Sequence, residues 1–217
     1  MLKWLKLFFA LALLPVCAGA VRTLGHILRA GYGADTVWVP LLAGAACWLV
    51  IFLLMPKPMW IYVFGHELTH ALWTYVFGGK VKKMKVTSKG GHVIISKTNF
   101  LIALAPYFFP LYAVIIIAGF ALGNLMFGWH AYVAVFYLLL GAAYAFHVSL
   151  TAHILRTEQT DITSQGWLFS AVVIFLGNAA VLIFGIPLLS RRPELLTICG
   201  RWFTETGNIF AWLHRLF

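Results

Sequence analysis

A backbone that crosses a bilayer must satisfy its own hydrogen bonds, so only helices and closed barrels can do it, and a spanning helix needs about 20 apolar residues. Six apolar runs bound this chain by that rule: residues 7–21, 38–55, 59–77, 100–122, 129–150 and 167–189. They predict an all-α polytopic membrane protein with about six transmembrane helices. Composition agrees: 62% of the residues are hydrophobic and 10% charged, where soluble domains carry roughly 25% charged residues. The net charge of +10 comes from basic residues in short loops, where they set orientation and meet anionic lipid. Membrane lipids are therefore expected partners and nucleic acid is not. Cys17, Cys47 and Cys199 lie far apart without a Cys-x-x-Cys pair, which indicates neither a disulfide framework nor a thiolate metal site.

The third run is broken by polar chemistry, in Phe64-Gly65-His66-Glu67-Leu68-Thr69-His70. Residues four apart share a helix face, so His66 and His70 can bind one zinc while Glu67, one step round, reaches its water. Two His and one Glu at this spacing also arise by chance in helices. The setting separates the readings, because three ionisable groups within a membrane-length segment cost several kcal/mol unless they pair, bind a metal or face water. A catalytic zinc takes a third protein ligand and keeps one position open, so one ligand must come from elsewhere.

Around this motif the chain divides into N-terminal spans (1–58), a core (59–190) and a tail (191–217) of one integral membrane domain. Lys3, Lys6, the first run and Ala18-Gly19-Ala20 also fit a signal peptide with a small-residue cleavage site. Gly78-Gly79 predicts the end of the motif helix. Residues 80–96, where Met84 and Val86 alternate with Lys83 and Lys85, predict a β-hairpin turning at Gly90-Gly91; its six lysines, counting Lys97, form a solvated, lipid-facing set. Pro106 and Pro110 predict kinks in the fourth span. The tail, with Leu195, Leu196, Ile198, Trp202 and Phe203 among scattered charges, predicts an amphipathic interfacial helix. With six spans, one side collects Arg22, Arg29, the six lysines and Arg156, nine in all, against seven for Lys3, Lys6, Lys57, Arg191, Arg192, Arg201 and Arg215. That excess assigns the hairpin to the cytoplasm, with both termini outside.

The third ligand can be sought among six acidic residues. Glu67 is the base, Asp35 precedes the second span, and Glu194 and Glu205 lie in the tail, which leaves Glu158 and Asp161. Asp161 directly precedes the sixth span, where it could ligate a metal or cap a helix. His147 and His153 compete with it as ligands.

An intramembrane His-Glu-x-x-His helix, a Gly-Gly stop, a lysine-rich hairpin and a late Asp together resemble the site-2 protease family of intramembrane zinc metalloproteases, over residues 60–181. The resemblance implies one Zn2+ per chain held by His66 and His70, with Glu67 as the general base. It also implies an Asp from a later helix and membrane-protein substrates, for a multi-pass protein of the bacterial inner membrane with its active site facing the cytoplasm. The family's Asp-Gly pair is absent here, so Asp161 is taken by position and marks a divergent branch. The expected function is hydrolysis of peptide bonds in membrane-associated proteins, with a hairpin edge receiving the extended substrate. Two other classes use the same residues. One is a non-catalytic assembly or partner-binding protein with a structural metal; the other is a zinc transporter passing the ion along His66, His70 and His147.

Overall fold

A computed structural model describes residues 3–30, 35–88, 90–189 and 195–215. The fold is mostly helical: α1 (Lys3–Arg29), α2 (Asp35–Leu54), α3 (Met59–Val76), β1 (Val81–Thr87), β2 (Gly90–Ile95), α4 (Phe100–Leu104), α5 (Leu111–Phe127), α6 (Val133–Ile154), α7 (Thr160–Thr163), α8 (Trp167–Leu189) and α9 (Leu195–His214). Short 3-10 turns at Ala105–Tyr107 and Trp129–Tyr132 follow α4 and precede α6. The chain forms two compact units, Asp35–Gln159 and Met1–Ala34 with Thr160–Phe217.

Four helical stretches are long and apolar enough to cross a membrane: α1, α2, residues 129–154 and α8. The stretch from Phe100 to Phe127 adds a fifth only if its two pieces, bent by 79°, count as one span. Two of the six expected spans are not among these four on length and composition. The helix of the third run is not among the spanning set, because Gly65, His66, Glu67, Thr69, His70 and Thr74 dilute its apolar character. The fourth run is broken outright, since Pro110 has no N–H and the chain leaves the helix through the 3-10 turn around Pro106. The nine-against-seven charge count presupposes six spans and does not carry over.

In the Asp35–Gln159 unit, α2 and α6 each set a glycine against the backbone of the other. A Cβ on Gly44 would run into the Leu138 carbonyl, and one on Gly141 into that of Leu41. Small residues let helices approach to backbone distance where lipid offers no hydrophobic drive. Trp48 locks the pair, its indole donating to Ser149 Oγ at 2.8 Å and its ring 4.9 Å from Phe146. Tyr62 and Val63 of α3 pack on Leu150 of α6, with Val86 of the hairpin closing the cluster.

The hairpin pairs Thr87 with Gly90 and Val86 with Gly91, so these two glycines are paired residues of β2 and not the turn; Lys89 is outside the described residues. The glycines have other roles. Gly90 takes a φ of 147°, a conformation open to few other residues. Gly91 lets the strand lie against α3, for a Cβ there would sit 2.7 Å from Glu67 Cγ and 2.9 Å from Val63 Cγ1.

In the other unit, α8 and α9 pack on α1. Ala20, Ile27, Ala179, Ile183 and Ile198 form its core, and Trp202 Nε1 donates to the Val16 carbonyl at 3.2 Å. The tail is helical over Leu195–His214, while Arg191, Arg192 and Glu194 are outside the described residues. Glu205 of α9 reaches His26 at 3.2 Å and Arg22 at 3.8 Å on α1.

Candidate metal centre

The motif helix starts after Pro56-Lys57-Pro58, where the Pro58 carbonyl accepts from the amides of Ile61 and Tyr62 at 3.1 and 3.2 Å. It ends at Gly78, whose φ of 68° lets Gly79 donate back to the Thr74 carbonyl at 2.8 Å. Its threonine hydroxyls are satisfied inside the helix: Thr69 donates to Gly65 O at 2.7 Å and Thr74 to His70 O at 2.8 Å. Both threonines are thus buried with their donors used. Glu67 and His70 are each 7% exposed and His66 is half-buried.

His66 Nε2 and His70 Nε2 lie 3.2 Å apart. His70 Nδ1 is 2.8 Å from the Ile102 carbonyl, which can only accept, so that nitrogen carries the proton and Nε2 keeps its lone pair towards His66. A second hydrogen bond on the far side of a ligating imidazole is the usual means of fixing its tautomer and tilt. Two nitrogens bound at 2.0–2.1 Å on a tetrahedral zinc are roughly 3.3 Å apart, so the pair has the spacing of one edge of such a site. The donor set therefore fits zinc.

The Ile102 carbonyl is itself held in place. Asn99 caps α4 by accepting from the Ile102 amide at 2.8 Å. Tyr107 is fully buried with its ring edge-on to His66, centroids 5.2 Å apart. Tyr112 donates to Ile61 O at 2.5 Å and lies where a Gly65 Cβ would be, its Cε2 2.7 Å away, so Gly65 admits α5 to the face next to His66.

His66 and His70 belong to the Asp35–Gln159 unit, whereas Asp161, the expected third ligand, stands in the short helix α7 of the other unit. Of the alternatives, His147 is buried and lines a cavity of about 20 Å³ with Tyr62, His66, Thr69 and Tyr112, room for a single water. Among the described residues its Nε2 has no hydrogen-bond partner. His153 sets its ring edge-on to Phe52.

Sequence reasoning missed Asn99, Ile102, Tyr107, Tyr112 and the contact role of Gly91. Asn99 carried a signal, a capping residue directly before an apolar run. A main-chain carbonyl carries none. The chain matches no protein-family model, no curated protein and no solved structure.

Proposed function

We propose that this protein is an intramembrane zinc metalloprotease that hydrolyses peptide bonds of membrane-associated proteins, as its resemblance to site-2 proteases implies. The observation that carries the reading is the His66–His70 pair at 3.2 Å, with its outer nitrogen committed to Ile102 and Glu67 buried on the adjoining face of α3. His66, His70 and Asp161 would hold the ion. Zinc, when bound, supplies the Lewis acidity that polarises a carbonyl and acidifies water.

The chain's residues do the rest. Glu67 takes a proton from the attacking water and passes it to the leaving amine, so the products are a carboxylic acid and an amine. The approach of Gly91 to Glu67 Cγ holds the base under the hairpin, away from bulk water. An extended substrate can pair with a hairpin edge, which satisfies its backbone groups once its own helix has unwound. Asp161 suits the third position by chemistry, as its carboxylate offsets charge that two neutral imidazoles cannot. Chain length also favours it. Gln159 is bonded to Ile154 O at 3.3 Å and to Tyr107 Oη at 3.5 Å, and a residue two further on lies within about 7 Å of it.

The test compares the membrane proteome of cells carrying wild type with that of cells carrying Glu67→Gln, together with the zinc content of both proteins. The reading expects wild-type-only cleavage products at equal zinc. Identical proteomes at equal zinc would leave a structural metal site, and transport of zinc by both proteins would leave a carrier.

A further inference from the structure

At the end of α1, His26, Ile27, Arg29, Thr197, Ile198 and Arg201 line a cavity of about 330 Å³. Its floor is apolar, Ile27 and Ile198 being 2% and 4% exposed, while Arg29 and Arg201 are exposed at its rim. Among the described residues, the acid of this region, Glu205, is taken by His26 and Arg22. Arg29 and Arg201 have no acidic partner among the described residues, so the cavity presents two guanidinium charges that its own walls do not neutralise.

We propose that this cavity binds the head group of an anionic phospholipid, its phosphate held by Arg29 and Arg201 and its glycerol end on the two isoleucines. The guanidinium fork matches phosphate oxygens two at a time, which an ammonium cannot do. Arg29 is in the last turn of a helix long and apolar enough to span, which sets it at head-group depth. Basic pockets between membrane helices bind phospholipid heads in this way. The volume selects a lipid over free phosphate. It falls at the lower end of small-molecule sites, and an inorganic ion would leave most of it empty and the apolar floor unused. The Thr197 hydroxyl adds a donor beside the arginines.

The experiment is native mass spectrometry of the full-length protein released from detergent with phosphatidylglycerol or phosphatidylcholine. Wild type should retain phosphatidylglycerol in preference to phosphatidylcholine. Arg29→Gln/Arg201→Gln should weaken retention about thirtyfold, from roughly fivefold per arginine at a membrane surface. Lys82→Gln/Lys83→Gln, which removes the same charge from the hairpin, should stay close to wild type. Should the double glutamine variant fail to fold, Arg29→Lys/Arg201→Lys keeps the charge and loses the fork, and a severalfold loss is expected. Equal retention of the two lipids by wild type, unchanged retention in the folded arginine variant, or an equal loss in the hairpin control would overturn the proposal. Displacement of the lipid by millimolar inorganic phosphate would overturn it too, in favour of a free-phosphate site.

Discussion

Gly91→Ala tests whether the hairpin is a working part of the metal centre. The added Cβ would lie 2.7 Å from Glu67 Cγ, 2.9 Å from the Lys85 carbonyl and 2.9 Å from Val63 Cγ1. Two of these neighbours cannot yield easily: Lys85 O is backbone of the paired strand, and Val63 is 8% exposed and packed in the core. Overpacking of this kind costs about 1–3 kcal/mol. The cheapest relief is for the hairpin to lift from α3, so the cost shows as a docking equilibrium shifted roughly 5- to 150-fold. Hydrogen exchange over residues 81–95 reads that quantity directly, and protection there should fall by the same factor while α2 and α6 keep theirs. Zinc content should not change, because neither histidine is touched, whereas cleavage should fall. Gly119→Ala is the control: beyond its own stretch of helix nothing lies within 4 Å of the new Cβ, and α5 gains helix propensity. Wild-type protection over 81–95 in Gly91→Ala would refute the packing argument. Lost protection with full cleavage would remove the hairpin from the mechanism.

Three further outcomes are expected. His66→Ala and His70→Ala should each release the zinc, about one ion per chain in wild type, and metal analysis of the double variant matching wild type would exclude the motif as the site. Asp161→Asn should weaken zinc binding and abolish cleavage if Asp161 is a ligand, since Asn caps a helix about as well as Asp and a capping role would leave both intact. Full zinc in Asp161→Asn with loss in His147→Ala would transfer the role to that histidine. Asn99→Ala should cost about 1 kcal/mol of α4 stability and, by loosening the Ile102 carbonyl, reduce zinc affinity by roughly 10-fold or more in a chelator competition.

The membrane character and the pair His66 and His70 were legible because each follows from one regularity: run length in the first case, a spacing of four in the second. The hairpin was legible from alternation at Met84 and Val86, but its turn was misplaced. Glycine serves equally for a tight turn and for close approach, and only the position of Glu67 beside Gly91 tells which. The expected and observed spans diverge where composition and continuity part company. Residues 100–122 are apolar throughout, yet two prolines four apart turn the path by 79°. The deep packing of α2 on α6 was hidden for another reason: Gly44 and Gly141 stand 97 positions apart, and nothing local pairs them.

The contact that orients His70 is made by the main chain, and this changes what mutation can do to it. A carboxylate partner disappears with one substitution, whereas a carbonyl is present whatever side chain occupies position 102. Drift at that position is limited only by burial, Ile102 being 1% exposed, so any apolar residue of similar size keeps the imidazole aligned. Vulnerability passes to the residues that shape the path of the backbone, Asn99 at the start of α4 and the prolines after it. Two descendants of this chain could therefore share the same histidine geometry and no recognisable orienting residue, and their kinship would be visible in the course of the polypeptide rather than in a signature of side chains.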